Sequence, residues 1–213
     1  VLSLIPARGG SKSIPRKNIL LLAGYPLIAY SIAAGLSSEH ITRVIVTTDD
    51  EEIAETARNF GAEVPFLRPA EYAQDDTPDL PVFQHALSWL ADRESYLPRI
   101  VVHLRPTSPF RQVYQIDQSI LRLLRHPEAD SVRSVSPPHQ SPYKMWRINP
   151  EGYLNPLLET GDLESYNLPR QALPEVYWHN GYVDTFWVDT ISRKGSMTGD
   201  TILPLVIDSE KCI

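Results

Sequence analysis

Between residues 7 and 18 the sequence reads ARGGSKSIPRKN, two adjacent glycines set among four cations. Gly9 and Gly10 let backbone amides approach an anion closely, and Arg8, Lys12, Arg16 and Lys17 surround them with positive charge. Phosphate is the guest such a loop suits. The loop matches neither familiar phosphate pattern. Walker A needs glycine immediately before its lysine and another five positions earlier, whereas here Ser11 precedes Lys12 and position 6 is Pro6. Residues 9–14 read GGSKSI, which also fails the dinucleotide pattern GxGxxG. A solvated basic loop with an incidental glycine pair is the alternative on these residues alone. The charge distribution speaks for an anion: residues 1–38 hold those four cations and no acid, while the whole chain carries −6.

Other residues capable of chemistry stand in LRPAE, LRPTSPFR, SPYK, PRQ and HNG. On its own residues, Arg68 in LRPAE suits a strand-end ion pair with Glu71. Thr107 and Ser108 follow an apolar run, so their hydroxyls suit either a ligand's oxygens or the cap of the next helix. Arg170 beside Gln171 is a pair that can bind a carboxylate and a hydroxyl together. Asp49 and Asp50 are two adjacent acids, and opening a helix is the role their setting favours. The six histidines show no zinc spacing, and no serine sits in a GxSxG setting. Nothing in these residues suggests a covalent enzyme intermediate.

Alternating elements must carry these loops. Residues 1–6, 43–48, 63–67, 100–104 and 130–136 read as buried strands. Between them lie a helix from Pro26 to about Gly35, one with Ile53, Ala57 and Phe60 on its apolar face and Gly61 at its end, one with Val82, Phe83, Ala86, Leu87 and Leu90, and one with Ile116, Ile120, Leu123 and Leu124. This rhythm predicts an α/β fold, a mainly parallel sheet with helices on both faces, in which ligands bind beyond the carboxyl ends of the strands. The rhythm breaks at Pro137. We divide the chain into a core over 1–136, a Pro-rich insertion over 137–178, and a return to the sheet over 179–213.

Composition narrows the class further. With 42% hydrophobic and 22% charged residues among 213, the chain can bury a full core without staples. The acidic balance argues against nucleic acid as a partner. No apolar run approaches the roughly 18 residues that a membrane span requires, so no membrane partner is expected. The lone cysteine, Cys212, excludes an internal disulfide framework and fits the cytoplasm.

The run IPARGGSKSIPRKN resembles the nucleotide-binding signature of the acylneuraminate cytidylyltransferases, the CMP–sialic acid synthetases. It is followed in order by TTDDEEIAETARNFGAEVPFLRPAE, DDTPD, LRPTSPFR and PRQALPEVYWHNG, so the resemblance runs over residues 5–181. It implies a Rossmann-like nucleotidyltransferase fold and transfer of CMP from CTP to the anomeric hydroxyl of an acidic nine-carbon sugar, releasing pyrophosphate. It implies nucleotide contacts from Arg8, Gly9, Gly10, Ser11, Lys12, Lys17, Asn18 and Arg68, with Arg8 and Lys17 acting in catalysis. On the sugar side it implies Arg105, Thr107, Ser108, Lys144, Arg170, Gln171, Asn180 and Gly181.

The resemblance further implies a Mg²⁺ cofactor held by acids just beyond Ile213, which would make this chain a truncated one. It implies a homodimer built through the Pro-rich insertion, and a product used for lipopolysaccharide or capsule. Two positions depart from the common pattern: Arg105 stands where glutamine is frequent, and Asp184 where tyrosine is. Both departures bear on which sugar is used, leaving sialic, legionaminic and pseudaminic acids open. Thr107, where the eight-carbon Kdo synthetases carry an acid, counts against those. A nucleotide-sugar binding protein without chemistry is the alternative reading.

Overall fold

The apolar run Leu2–Pro6 has its first four residues buried because the sheet continues on both sides of it and helices cover both faces. The computed structural model describes residues 1–12, 14–158, 161 and 164–208. Its central sheet has six strands: β1 (Leu2–Pro6), β2 (Arg43–Thr47), β3 (Ile100–His103), β4 (Ser131–Ser136), β5 (Trp178–Trp187) and β6 (Ile202–Val206). Their spatial order is β6-β4-β5-β3-β1-β2. β1 pairs in parallel with β2 and β3, β6 in parallel with β4, and β5 runs antiparallel to both its neighbours. Five carboxyl ends therefore share one edge, and the loops after β1 and β3 emerge side by side.

Among the described residues five α-helices cover the sheet: α1 (Leu27–Leu36), α2 (Glu51–Asn59), α3 (Asp79–Glu94), α4 (Val113–Arg125) and the short α5 (Val188–Ser192). Strand residues alternate between the two layers. Ile5, Val44, Val46 and Val102 pack with α1, α2 and α4, while Leu4, Ile45 and Val101 pack with α3 and α5. The expected apolar faces of α3 and α4 are buried, except that Leu124 lies past the edge of its stripe and is exposed. Phe60 is also partly exposed, its ring edge-on to Tyr25. Gly61 ends α2 with φ 90°, the left-handed conformation that glycine adopts without steric cost.

The expected strand over 63–67 does not form. Glu63 makes a single parallel bridge to Ile45, and the ladder stops there because Pro65 has no N–H to donate. Between 137 and 178 the described residues form a small hairpin (Trp146–Ile148 with Leu154–Pro156) and three short 3₁₀ turns. β5 then enters the sheet at Trp178 with a bulge opposite Arg133–Val135.

Candidate active site

At the carboxyl edge, between the loops after β1 and β3, lies a cavity of about 450 Å³. The first loop brings Arg8, Ser11, Lys12, Lys17 and Asn18 to its wall. A 3₁₀ turn at Lys17–Ile19 aims the last two inward, and its entry residue Arg16 takes φ 56° to turn the chain. Buried Asn18 donates Nδ2–H to the Arg8 carbonyl at 3.0 Å, fixing the two limbs of the loop against each other. Arg16 itself leaves the cavity and pairs with Asp50 and Glu52 on α2.

The glycines serve the loop differently from expectation. The Gly9 amide donates to Asp49 Oδ1 at 3.0 Å, so it is engaged by protein. A side chain at Gly9 would place its Cβ 2.7 Å from Asp50 Oδ2, which is why the loop can lie so close to α2. Gly10 has open space around it. Asp50 opens α2 as expected, accepting from the Ile53 amide at 3.0 Å.

The cations of this wall meet carboxylates from the DDTPD loop. Arg8 donates to the Gln74 carbonyl at 2.7 Å and pairs with Asp75 at 3.1 Å; Lys12 pairs with the other Asp75 oxygen. The hydrogen bond from Lys12, together with the charges of Lys12 and Arg8, lowers the Asp75 pKa. Arg68 is buried at the cavity wall, and its Nε and Nη2 have no hydrogen-bond partner among the described residues. Its ion pair is with Asp49 at 3.8 Å, not with Glu71. Burial lowers its pKa, Asp49 opposes that, and the neighbouring Arg8 charge adds to it.

The second wall comes from the loop after β3. Arg105, Pro106 and Thr107 line the cavity with Asp79, the first residue of α3. Ser108 turns away and donates to the Gly181 carbonyl at 3.4 Å. Neither hydroxyl caps α4, whose entry residue is Gln112. Arg105 donates Nη1–H to Asp184 at 2.9 Å and Nη2–H to Asp79 at 3.2 Å, so the two positions that depart from the resembled pattern touch each other. Burial raises the Asp184 pKa, but the hydrogen bond with His179 and the charges of Arg105 and Arg133 outweigh it and hold the carboxyl far below the usual range.

The other expected sugar-side residues lie off this cavity. Asn180 spends its side chain on the bulge: its oxygen accepts from Ser134 at 2.6 Å and from the Tyr182 amide at 3.0 Å, and its nitrogen donates to Ser136 at 2.8 Å. Gly181 takes φ 69° beside the Arg105 stem. Lys144, Arg170 and Gln171 are exposed on the Pro-rich segment, where Arg170 donates to the Pro138 carbonyl at 2.7 Å.

Sequence reasoning passed over His103, Asp75 and Asp79. Asp75 and Asp79 stood in the quoted DDTPD block and read there as loop polarity. His103 stood inside an apolar strand, where a lone polar residue was the available signal. It is fully buried, neither ring nitrogen is hydrogen-bonded among the described residues, and it lines the cavity. Arg111 is a further buried cation. It donates to the carbonyls of Tyr182 and Arg105 and to the Ser31 hydroxyl, tying the loop after β3 to β5 and α1. Burial pushes its pKa down to about 10, which leaves it charged at neutral pH.

Among the described residues, no three His, Cys, Asp or Glu side chains gather to hold a metal ion. The acids expected beyond Ile213 lie outside the described residues. No helix among the described residues is long and apolar enough to cross a membrane.

A cationic cavity at the carboxyl edge of a mostly parallel sheet defines a nucleotide-binding α/β protein, and comparisons agree. A family model described as cytidylyltransferase matches residues 2–145. The chain is 32% identical over 209 residues to a CMP-N,N'-diacetyllegionaminic acid synthase of Legionella pneumophila, covering 98% of this chain and 87% of that protein. It is 42% identical over 120 residues to an N-acylneuraminate cytidylyltransferase of Escherichia coli, a match to 56% of this chain but 27% of that protein's length. Its fold matches a CMP:2-keto-3-deoxy-manno-octonic acid synthetase solved with CTP, at TM-score 0.70 and 15% identity over 98% of this chain and 90% of that one. The chain belongs to the cytidylyltransferase family, among the CMP–nonulosonic acid synthetases.

Proposed function

We propose that this protein transfers CMP from CTP to the anomeric hydroxyl of a nonulosonic acid, releasing pyrophosphate. The observation that carries the reading is the convergence of Arg8, Lys12, Lys17 and Arg68 on one cavity. In the reaction the anomeric oxygen attacks the α-phosphorus in line, the α–β anhydride bond breaks, and the hydroxyl proton passes to solvent. Charge develops on the departing pyrophosphate, and fixed cations there lower the barrier more than they aid ground-state binding. Arg8 and Lys12 already grip a carboxylate, Asp75, with the geometry that phosphate oxygens would use in its place. Arg68 Nε and Nη2, which make no hydrogen bond among the described residues although Nη2 is ion-paired with Asp49, are donors suited to the base or ribose.

Mg²⁺ is part of the proposal. Its ligands are expected outside the described residues, and its chemistry when bound would be charge neutralisation on the triphosphate. A homodimer is part of it too, with the segment 137–178 carrying Lys144, Arg170 and Gln171 to the partner's cavity. A cytoplasmic location, which the lone cysteine suits, and a product used for lipopolysaccharide or capsule belong to the same proposal.

The test is pyrophosphate release from CTP and Mg²⁺ with a panel of sialic, legionaminic and pseudaminic acids. Turnover of at least one acid is expected, and Arg8→Ala should lower it about 100-fold with every acid that reacts. An absence of pyrophosphate with all of them overturns the reading.

A further inference from the structure

Resting on that reading, we propose that Asp75 is an internal rival of phosphate: its carboxylate holds Arg8 and Lys12 until a polyphosphate displaces it, and takes them back as pyrophosphate leaves. One carboxyl group bridges the two cations. Arg8 Nη2 pairs with Oδ1 at 3.1 Å, and Lys12 Nζ pairs with Oδ2. Arg8 Nη1 also donates to the Gln74 carbonyl at 2.7 Å, so the guanidinium spends two donors on neighbouring residues of one turn. A carboxylate with its two oxygens on separate cations uses the same charge-assisted bonds that two phosphate oxygens would use. The hydrogen bond from Lys12 and the charges of Lys12 and Arg8 keep Asp75 ionised at neutral pH.

The turn that carries Asp75 can swing at little cost. Gln74, Asp75 and Asp76 are exposed, so moving them outward uncovers little apolar surface. Their own bonds are local: the Thr77 amide donates to the Gln74 carbonyl at 3.3 Å, and the Gln74 side-chain amide to the Ala70 carbonyl at 2.7 Å. Both ends are anchored, one by Tyr72 packed on His85 and the other by Asp79 at the start of α3. Arg8 and Lys12 draw the turn over the cavity. Ion pairs this exposed are weak, which suits a contact that must yield to a ligand. A ligand that binds only after Asp75 lets go has its affinity reduced by the fraction of molecules in which the contact is open. The reduction is equal for every ligand whose phosphates need Arg8 and Lys12, and a nucleoside without phosphate escapes it. Pyrophosphate has lost the base and ribose contacts of CTP, so the returning carboxylate expels it most readily.

The experiment titrates the protein with CTP, pyrophosphate and cytidine, without sugar or divalent metal, by calorimetry or, for weak ligands, by NMR. Asp75→Asn should bind CTP and pyrophosphate about threefold to tenfold more tightly, with cytidine within about twofold of wild type. In turnover, pyrophosphate should inhibit this variant at correspondingly lower concentration. Asp76→Asn removes the same charge from the same turn, and among the described residues Asp76 makes no ion pair with Arg8 or Lys12. It should leave all three affinities within about twofold. Asp75→Ser should repeat the gains of Asp75→Asn, so one poorly folded variant does not decide the matter. Unchanged or weaker binding of CTP and pyrophosphate without the Asp75 carboxylate would overturn the proposal. So would an equal gain for cytidine or in Asp76→Asn. A wild type that binds CTP but turns over no nonulosonic acid removes the cytidylyl-transfer reading, and the binding comparison still judges Asp75. Turnover with an Asp75→Asn protein that binds like wild type removes this inference alone.

Discussion

His103 packs its ring against Phe83 at 4.7 Å between centroids, and its Nδ1 stands 3.9 Å from Asp79 at the cavity wall. Burial, reinforced by the nearby Arg105 charge, holds its pKa well below the ordinary histidine value. The folded protein therefore keeps the ring neutral where the unfolded chain protonates it. Below about pH 6.5 the unfolded state binds the additional proton, so stability falls as pH drops, by at most about 1.4 kcal/mol per pH unit for this one group. His103→Leu should remove that slope. Denaturant titrations of both proteins between pH 7.5 and 5 would show the His103→Leu protein gaining stability relative to wild type as pH falls, with His85, also lowered by burial, contributing equally to each. Parallel curves would show that His103 titrates alike in both states. The cationic wall was legible because Arg8, Lys12, Lys17 and Asn18 are close in sequence and share one loop. Of the opposite wall only Arg105 and Thr107 were legible, because His103 and Asp79 come from two further elements whose meeting depends on strand order.

At the scale of elements, the N-terminus of α2 does two jobs. Asp50 caps the helix through the Ile53 amide and also holds Arg16, while Asp49 receives the Gly9 amide, so the helix start clamps the cationic loop from behind. Removing the cap should cost about 1–2 kcal/mol. Asp50→Ala is expected to lower Tm accordingly, and Asp50→Asn, which caps as well, should recover most of the loss. An asparagine variant as unstable as the alanine one would assign the effect to the Arg16 pair instead. The same scale shows where reading periodicity stops. The apolar runs of β1, β2 and β3 announce buried strands, but a run carries no direction, so the antiparallel entry of β5 between β3 and β4 was not legible. Residues 62–66 kept a strand's alternation, with Ala62, Val64 and Phe66 buried, yet Pro65 denied them a ladder.

For the whole molecule, the uneven charge and the uneven burial point to one arrangement. The acid-free opening of the chain supplies the cations of the cavity, while Lys144, Arg170 and Gln171 stay exposed away from it. The hairpin beside them leaves Ile148 at 74%, Tyr153 at 70% and Leu154 at 60% exposure, and an isolated two-stranded hairpin is marginal without cover. Of the aromatics there, Trp146 and Tyr166 already pack on each other at 4.5 Å. A second copy joined by a two-fold axis would cover the hairpin in both subunits at once and carry each Arg170 toward the other's cavity. Light scattering at micromolar concentration should give the mass of a dimer, and a clean monomer would refute it. Mixing tests the crossed arrangement further. Arg8→Ala and Arg170→Ala proteins, each poorly active alone, should regain activity when co-refolded, because half of the pairs would be mixed and each mixed pair would hold one intact site. About a quarter of wild-type activity is the expected ceiling. A dimer that shows no recovery would mean that Arg170 serves its own subunit's cavity or none.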